Sequence, residues 1–340
     1  MFTIIAVVID LSDRVENFIE QPITWHQIIF DYYLKFIPWI NGLLWPLFAL
    51  IAVIFFTSRM AKNSEIISIL GSGVSYNRLL RPYVVTATVL AVLSFVFNHQ
   101  IIPEGNKTFK AFENEYIYPG NEQIKSENIH LFISPDTKVF IRTYRKRDTS
   151  GTNFRLEQFD GNKLVYLLKA GQFKMLEPPN RWRLRNFEIR TFEDDKETLQ
   201  LGRGQSIDTT LQLYPQDFVR YLNQREMMTT MEMIDFIKYE REKGLDTAKI
   251  MQVELHRRSA DPVTIIILTI IGCAIASRKV RGGIGLHLAK GVAMGATYII
   301  MSKFAITFAT NLDLPAGIAM WLPNFVFGLL AIYLVRKAQQ

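Results

Sequence analysis

From Phe36 to Ser58 the chain reads FIPWINGLLWPLFALIAVIFFTS, 23 residues without a charge. The hydrocarbon core of a bilayer is about 30 Å thick and takes roughly 20 apolar helical residues to cross, so this stretch is long enough to span one. Two more blanks of that kind lie outward from it: residues 82–103, between Arg81 and Glu104, and residues 314–335, between Asp313 and Arg336. Residues 262–277 form a shorter gap of about 24 Å, which spans if Asp261 and Arg278 reach the interfaces. A fifth candidate, residues 284–309, is apolar but carries Lys290 and Lys303. The whole-chain figures, 340 residues with 39 Lys and Arg against 32 Asp and Glu, average two unlike parts. Residues 104–261 hold 26 basic and 25 acidic side chains, an ordinary soluble composition, while the other 182 residues hold 13 and 7. Charge depleted in long blocks is the composition of a membrane protein; it excludes a disordered chain, a collagen-like fibre, a disulfide-stapled scaffold and a basic nucleic-acid-binding domain.

Residues 2–9 (FTIIAVVI) are wholly apolar and abut Asp10, Asp13, Glu16 and Glu20. Eight residues cover about 12 Å and cannot span. A basic n-region and a small-residue cleavage site are both missing, so the stretch is no signal peptide. It is read as the outer end of a first transmembrane helix whose beginning is absent from the chain, and an in-frame upstream extension of a dozen or more apolar codons is expected. Short loops at 59–81 (Arg59, Lys62, Arg78, Arg81) and 278–283 (Arg278, Lys279, Arg281), with the tail (Arg336, Lys337), are basic, Glu65 being their one acid. Residues 10–35 and 310–313 are acidic. The positive-inside rule puts the basic loops in the cytoplasm and the domain 104–261 outside it.

That domain divides in two. Residues 126–213 alternate apolar and polar positions between turn signals: NIHLFIS, KVFIRTY, NFRLEQF, KLVYLLKA, QFKML after Gly171, and RWRLRNFEIRTF. Six or more short strands in that length make a sandwich or an open barrel. KLVYLLKA is apolar on both faces, which suits either a packed core or a groove that shelters acyl chains. RWRLRNFEIRTF changes phase at Asn186, as a bulge would produce. From residue 229 the period turns helical: Thr229 with Glu232 fits a capping box, Met233, Ile234 and Ile237 form a stripe, and Gly244 is a natural C-cap. A second helix after Asp246 runs through VELHRRS to Asp261 and Pro262, where the next span starts.

Catalytic signatures are lacking. The chain holds no GxxxxGK[ST], HExxH or GxSxG; its five histidines are scattered, and its one cysteine, Cys273, lies in a span. An enzyme is not expected, nor any cofactor or metal. Three features rise above background. In SRMAKNSEIISILGSGVSYNRLLRP (58–82), Ile66, Ile69 and Leu70 recur at helical spacing up to Gly71–Gly73 and the lone acid Glu65 sits among bases. This is either a solvated turn or a docking helix whose carboxylate pairs with an arginine of a cytoplasmic partner. Lys290 and Lys303 are costly in a span and normally face a cavity, an anionic headgroup or the interface. They sit roughly 140° apart on the helix and cannot both face one site squarely. The run Trp321-Leu322-Pro323-Asn324 breaks helix rules inside the last span and implies neighbouring helices that re-satisfy its backbone.

The sequence resembles the LptF/LptG (YjgP/YjgQ) family of lipopolysaccharide-export permeases. The resemblance rests on the 58–82 stretch, on VELHRRSADP (253–262), on MWLPNFVFG (320–328) and on the order of three spans, a β domain and three spans. A family A-x-G at the end of the coupling helix reads Leu70-Gly71-Ser72-Gly73 here. The resemblance implies a polytopic α-helical membrane protein of six transmembrane helices, the first truncated, with an inserted periplasmic all-β jellyroll-like domain. The expected division is residues 1–103 for helices one to three, with a coupling helix near 59–71, 104–228 for the jellyroll, 229–261 for a helical elbow and 262–340 for helices four to six. It further implies one permease subunit of an inner-membrane ABC transporter. Its partners would be a cytoplasmic ABC ATPase dimer, a second LptF/LptG-type subunit, periplasmic jellyroll bridge proteins of the LptC/LptA kind, and lipopolysaccharide. Glu65, with Arg59, Ile66 and Ile69, would couple to the ATPase; Lys290 and Lys303 would contact lipid. Two rivals are a membrane-anchored periplasmic lipid-binding or assembly scaffold without transport, and a secondary transporter. The second is disfavoured by the lack of an inverted repeat.

Overall fold

The computed structural model describes residues 2–118, 122–124, 127–145, 147–193, 196–214, 217, 219–221, 224–242, 248–278, 280, 283–312 and 314–338. Gly244, Asp246, Lys279, Arg281 and Asp313, which the sequence reading used as caps or loop charges, lie outside them. The chain forms two compact units, one of Met1–Phe112, Arg225–Met233 and Lys249–Gln340, the other of Glu113–Gln224 and Ile234–Ala248.

The first unit is helical. Its elements are α1 (Phe2–Glu20), α2 (Trp25–Lys62), α3 (Glu65–Gly71), α4 (Tyr76–Ile117, whose last residues enter the second unit), α5 (Gln224–Met227), the start of α6 (Thr230–Glu242), α7 (Ala248–Ala276), α8 (Gly283–Asn311) and α9 (Ala316–Ala338). Helices α2, α4, α7, α8 and α9 are long and apolar enough to cross a membrane. The helices outrun the charge-free blanks, because charged residues at span ends continue the helix without entering hydrocarbon. Thus 25–35, read as loop, opens α2 and includes a π-helical turn at Ile28–Tyr33. Residues 2–20 are one helix rather than an apolar stub followed by a loop. Asp10 there is not a solvated charge: it takes hydrogen bonds from Arg14 Nε (2.9 Å) and Tyr32 Oη (2.9 Å), and Tyr32 is fully buried among Phe18, Phe36, Phe109 and Phe112.

α7 is the most deeply packed of the long helices. Leu268 and Ile271 meet Leu50 and Ile54 of α2, Tyr298 of α8 and Phe327 of α9 in one core. Gly291 and Gly295 bring α8 close to α2: a Cβ at Gly291 would lie 1.9 Å from Ile54 Cδ1, and one at Gly295 3.0 Å from Leu47 Cδ1. The elbow helix, expected to give way to the next span at Asp261–Pro262, does not end there. α7 runs unbroken from the elbow into the span, because Pro262 removes only one backbone donor and side chains brace the turn around it. Asn324 Nδ2 donates to Ala260 O (2.8 Å), while Asn324 Oδ1 accepts from Thr264 Oγ1 (2.9 Å) and Tyr298 Oη (2.9 Å). Asn324 is the odd residue of the WLPN run: the expected contact with neighbouring helices is made by its side chain rather than by partners to the backbone of the run.

At the basic end of the bundle, Ser64 adopts φ 63° between α2 and α3. The short helix therefore begins at Glu65 and not near 59, and Arg59 belongs to the last turn of α2.

The second unit is built on a six-stranded antiparallel meander, β2 (Glu127–Ser134), β3 (Thr137–Arg145), β4 (Ser150–Asp160), β5 (Lys163–Glu177), β6 (Arg181–Glu193) and β7 (Lys196–Thr210). A small ladder pairs β1 (Glu122–Ile124) with β8 (Val219–Tyr221). β2 and β7 are not paired, so the sheet is open. One apolar cluster draws on β2 to β6 and packs Ile207 of β7 against it, so the sheet curls around its own inner face. Trp182 and Phe173 sit at its centre, and Trp182 Nε1 donates to Leu213 O (2.9 Å). The phase change in β6 is a bulge. Arg185 faces Ser206 and Phe187 faces Gly202, so three residues of β7 oppose Asn186, whose φ is 54° and whose Oδ1 accepts from Gly204 N. Trp182, Leu184, Phe187 and Ile189 consequently all reach the core.

KLVYLLKA and QFKML are one strand. Gly171 lies within it and is no turn: an added Cβ there would make an ordinary contact, 3.5 Å from Asn186 Cβ. β7 was not expected at all; most of it is exposed and polar, which hides the alternation that reveals a strand. In β4, a Cβ at Gly151 would stand 2.3 Å from both Phe173 Cε1 and Thr143 O. Gly151→Ala should therefore destabilise the β unit by roughly 1–3 kcal/mol, seen as a lower thermal midpoint, whereas Gly161→Ala, where an added methyl meets open space, strains only φ.

Candidate functional site

The first turns of α7 carry Glu254, Arg257, Arg258 and Asp261 at i, i+3, i+4 and i+7, which one helical face brings together. Glu254 and Arg258 are buried. Arg257 makes a fork on Glu254, Nη2 to Oε1 at 2.8 Å and Nε to Oε2 at 3.0 Å, and reaches Asp261 at 3.3 Å. Arg258 shares the same carboxylate at 3.3 Å. Its other donors leave α7: Nη1 bonds Met228 O (2.8 Å) and Nη2 bonds Arg225 O (2.7 Å), capping the free carbonyls at the end of α5.

Residues 225–233 are held at further points. Asn106 Nδ2 donates to Glu226 O (2.9 Å), and Trp39 Nε1 donates to the Glu226 carboxylate (3.3 Å). His99 Nδ1 bonds Thr230 Oγ1 (2.8 Å). The capping box forms as read, with Thr229 N on Glu232 (2.8 Å) and Glu232 N on Thr229 Oγ1 (3.4 Å). Lys107, 2.8 Å from Glu232, holds that carboxyl below the usual carboxylate range. Met233 of the expected stripe is buried, but Ile234 is exposed.

Between this segment and helices α2, α4, α7 and α8 lies a cavity of about 380 Å³, lined by Trp39, Asn98, Asn106, Glu226, Arg257 and Lys303 among others. It shares Leu43, Arg257, Asp261, Lys303 and Ile306 with a narrower, mainly apolar cleft of about 130 Å³ that continues between α2, α7, α8 and α9. Lys303 thus stands where the two meet. Lys290 is exposed on α8 and lines neither cavity, as the angle between the two lysines requires. At the basic end, Arg59 and Glu65 are exposed, and Glu65 takes a bond from Asn63 Nδ2 (3.0 Å). Ile66 and Ile69 turn inward, packing with Ala61, Tyr76 and Leu79, and leave Ile67 as the outward apolar side chain of α3.

Residues 1–337 match the family model described as lipopolysaccharide export system permease LptF/LptG. The chain belongs to this family. It is similar to two proteins named lipopolysaccharide export system permease protein LptG, from Escherichia coli strain K12 and from E. coli O6:H1 strain CFT073. Each is 17% identical over 311 residues, covering 90% of this chain and 84% of the relative. In this LptF/LptG chain the charged face of α7 escaped the sequence reading, which took VELHRRS as part of a helical elbow and assigned its charges no partners. The signal was present, since four charges at i, i+3, i+4 and i+7 leading straight into an apolar run need neutralising partners.

Removing Arg258 leaves Glu254 with one guanidinium and α5 with two uncapped carbonyls. Arg258→Met should cost about 3–5 kcal/mol and expose residues 224–229 to protease. Arg258→Lys should recover little, because an ammonium cannot reproduce the three-way fork.

Proposed function

We propose that this chain is one transmembrane subunit of an ABC exporter that lifts lipopolysaccharide from the inner membrane and passes it to a periplasmic bridge. The observation that carries the reading is the family match over residues 1–337, on a chain whose apolar helices flank an inserted β unit. A second LptF/LptG-type subunit completes the membrane path, and LptC/LptA-like jellyrolls receive the lipid. ATP hydrolysis belongs to a separate cytoplasmic dimer. The basic loops around α3 favour the cytoplasm for that end and the periplasm for the β unit.

In this reading α3 is the coupling helix. Glu65 presents its carboxylate to an arginine of the ATPase, Arg59 flanks it, and Ile66 and Ile69 act from behind by fixing α3 to α2 and α4. Lys303, and to a lesser degree Lys290, attract lipid phosphates. The expected division at residues 103, 228 and 261 assigns the β-rich part to lipid hand-over and residues 229–261 to the link between it and the membrane helices.

Reconstituting the chain with its ATPase and second permease subunit in proteoliposomes tests this. Lipopolysaccharide should stimulate hydrolysis, and Glu65→Lys should lower turnover by roughly tenfold or more, since like charges set against each other in an interface cost several kcal/mol. Glycolipid binding with no effect on hydrolysis would favour a scaffold instead. Unchanged turnover in Glu65→Lys would remove the coupling role.

A further inference from the structure

The cavity beside α7 holds charges of both signs, and most are already committed. Arg258 is spent on Glu254 and two backbone carbonyls, and Arg257 on Glu254 and Asp261. The side chains of Lys303 and Arg225, which also line it, make no hydrogen bond or ion pair among the described residues and act on Asp261 and Glu254 only through space. On the Arg225 side of the cavity, acceptors with capacity to spare face it. Asn106 is buried, and its Oδ1 has no hydrogen-bond partner although its Nδ2 is engaged. The Glu226 carboxylate takes one long bond from Trp39.

A buried acceptor without a donor costs about 1–3 kcal/mol, so the site favours a ligand that brings one. A bare phosphate would suit Lys303 and Arg225 but would meet Glu226 and the Asn106 oxygen as repulsive neighbours. A simple amine would have the opposite difficulty. A headgroup carrying an anion and a cationic donor a few bonds apart answers both halves. Leu43, Lys303 and Ile306 line both this cavity and the adjoining apolar cleft, whose walls include Leu47, Leu268 and Ile299 and suit hydrocarbon.

We propose that this cleft, formed within a single chain, binds a lipid with a phosphoethanolamine headgroup, phosphate toward Lys303 and Arg225, ammonium toward Glu226 and Asn106 Oδ1, and acyl chain in the apolar cleft. Such a headgroup occurs on membrane phospholipids and as a decoration of glycolipids, so the source has to be separated by experiment. The proposal shares Lys303 with the export reading but needs no ATP-driven step. It is therefore measured on the full chain without its ATPase, where failure leaves the hydrolysis test unaffected.

The measurement is lipid retention by the full-length protein in detergent, followed by native mass spectrometry. Probes are phosphatidylethanolamine and phosphatidylglycerol with identical chains, and lipid A with and without phosphoethanolamine. Phosphatidylethanolamine should be retained roughly tenfold better than phosphatidylglycerol. Glu226→Gln keeps an acceptor for Trp39 and should bring that ratio close to one. Lys303→Met, at an exposed position, should weaken both lipids. Displacement of phosphatidylethanolamine by decorated lipid A, but not by the plain form, would make the occupant the cargo; resistance to both would make it a resident phospholipid. Either result supports the headgroup assignment. Equal retention of the two phospholipids by the unmutated chain, or an unaltered ratio in a folded Glu226→Gln, would overturn it.

Discussion

A buried carboxylate that holds two guanidinium groups is the interaction on which this architecture turns. Glu254 is removed from water, where an unpaired charge would cost several kcal/mol, and Arg257 and Arg258 both close on it. Neither arginine is used up by that contact. The planar fork of Arg258 still has donors for the end of α5, and Arg257 reaches Asp261. The same cluster therefore fastens residues 225–233 to the helical unit and settles which charges in the cavity are left for something else. A lysine at either place would supply the charge without the geometry.

The helical part of the fold was legible because hydrocarbon imposes a length and excludes charge. Those rules found all five long helices and missed their ends, since a helix does not stop where the bilayer does. The β unit was legible through alternation. Asn186 shows how much such a pattern can hold: a change of parity within one strand reported a bulge, and the bulge is what lets Trp182 and Phe187 share a core. Gly171 misled for the opposite reason. Glycine marks a turn in most sequences, but here it sits inside a paired strand opposite β6, a cross-strand relation that no local pattern contains. β7 was invisible because its side chains are mostly solvated and its place is fixed by pairing with β6, which includes the Arg183–Asp208 fork at 2.7 and 2.9 Å.

The site was legible in part. The helical angle between Lys290 and Lys303 already said that one site could not hold both, and Lys303 is the one that meets the cavity. Ile66 and Ile69 were correctly placed on a face, but periodicity does not tell whether a face meets a partner or the chain's own core; packing against Tyr76 and Leu79 decides that. The acceptors Asn106 and Glu226 carried no signal, being ordinary residues 120 positions apart whose relation depends on the path of the chain.

Pro262 divides α7 into a charged outer part and a packed inner part, and the bonds on the two sides differ in kind. On the inner side Thr264, Tyr298 and Asn324 satisfy one another and Ala260 O, tying α7 to α8 and α9. A half-satisfied network in that setting would cost more than an apolar contact, so these three helices resist relative displacement. The contact of α8 with α2 is different, made by Gly291 and Gly295 against the side chains of Leu47, Leu50 and Ile54. It is close but non-directional, and sliding there breaks no hydrogen bond. The cavity at Lys303 lies between the two kinds of contact: directional bonds join α7 to α8 and α9, while α2 meets α8 by dispersion and reaches the far side of the cavity through the long bond from Trp39 to Glu226.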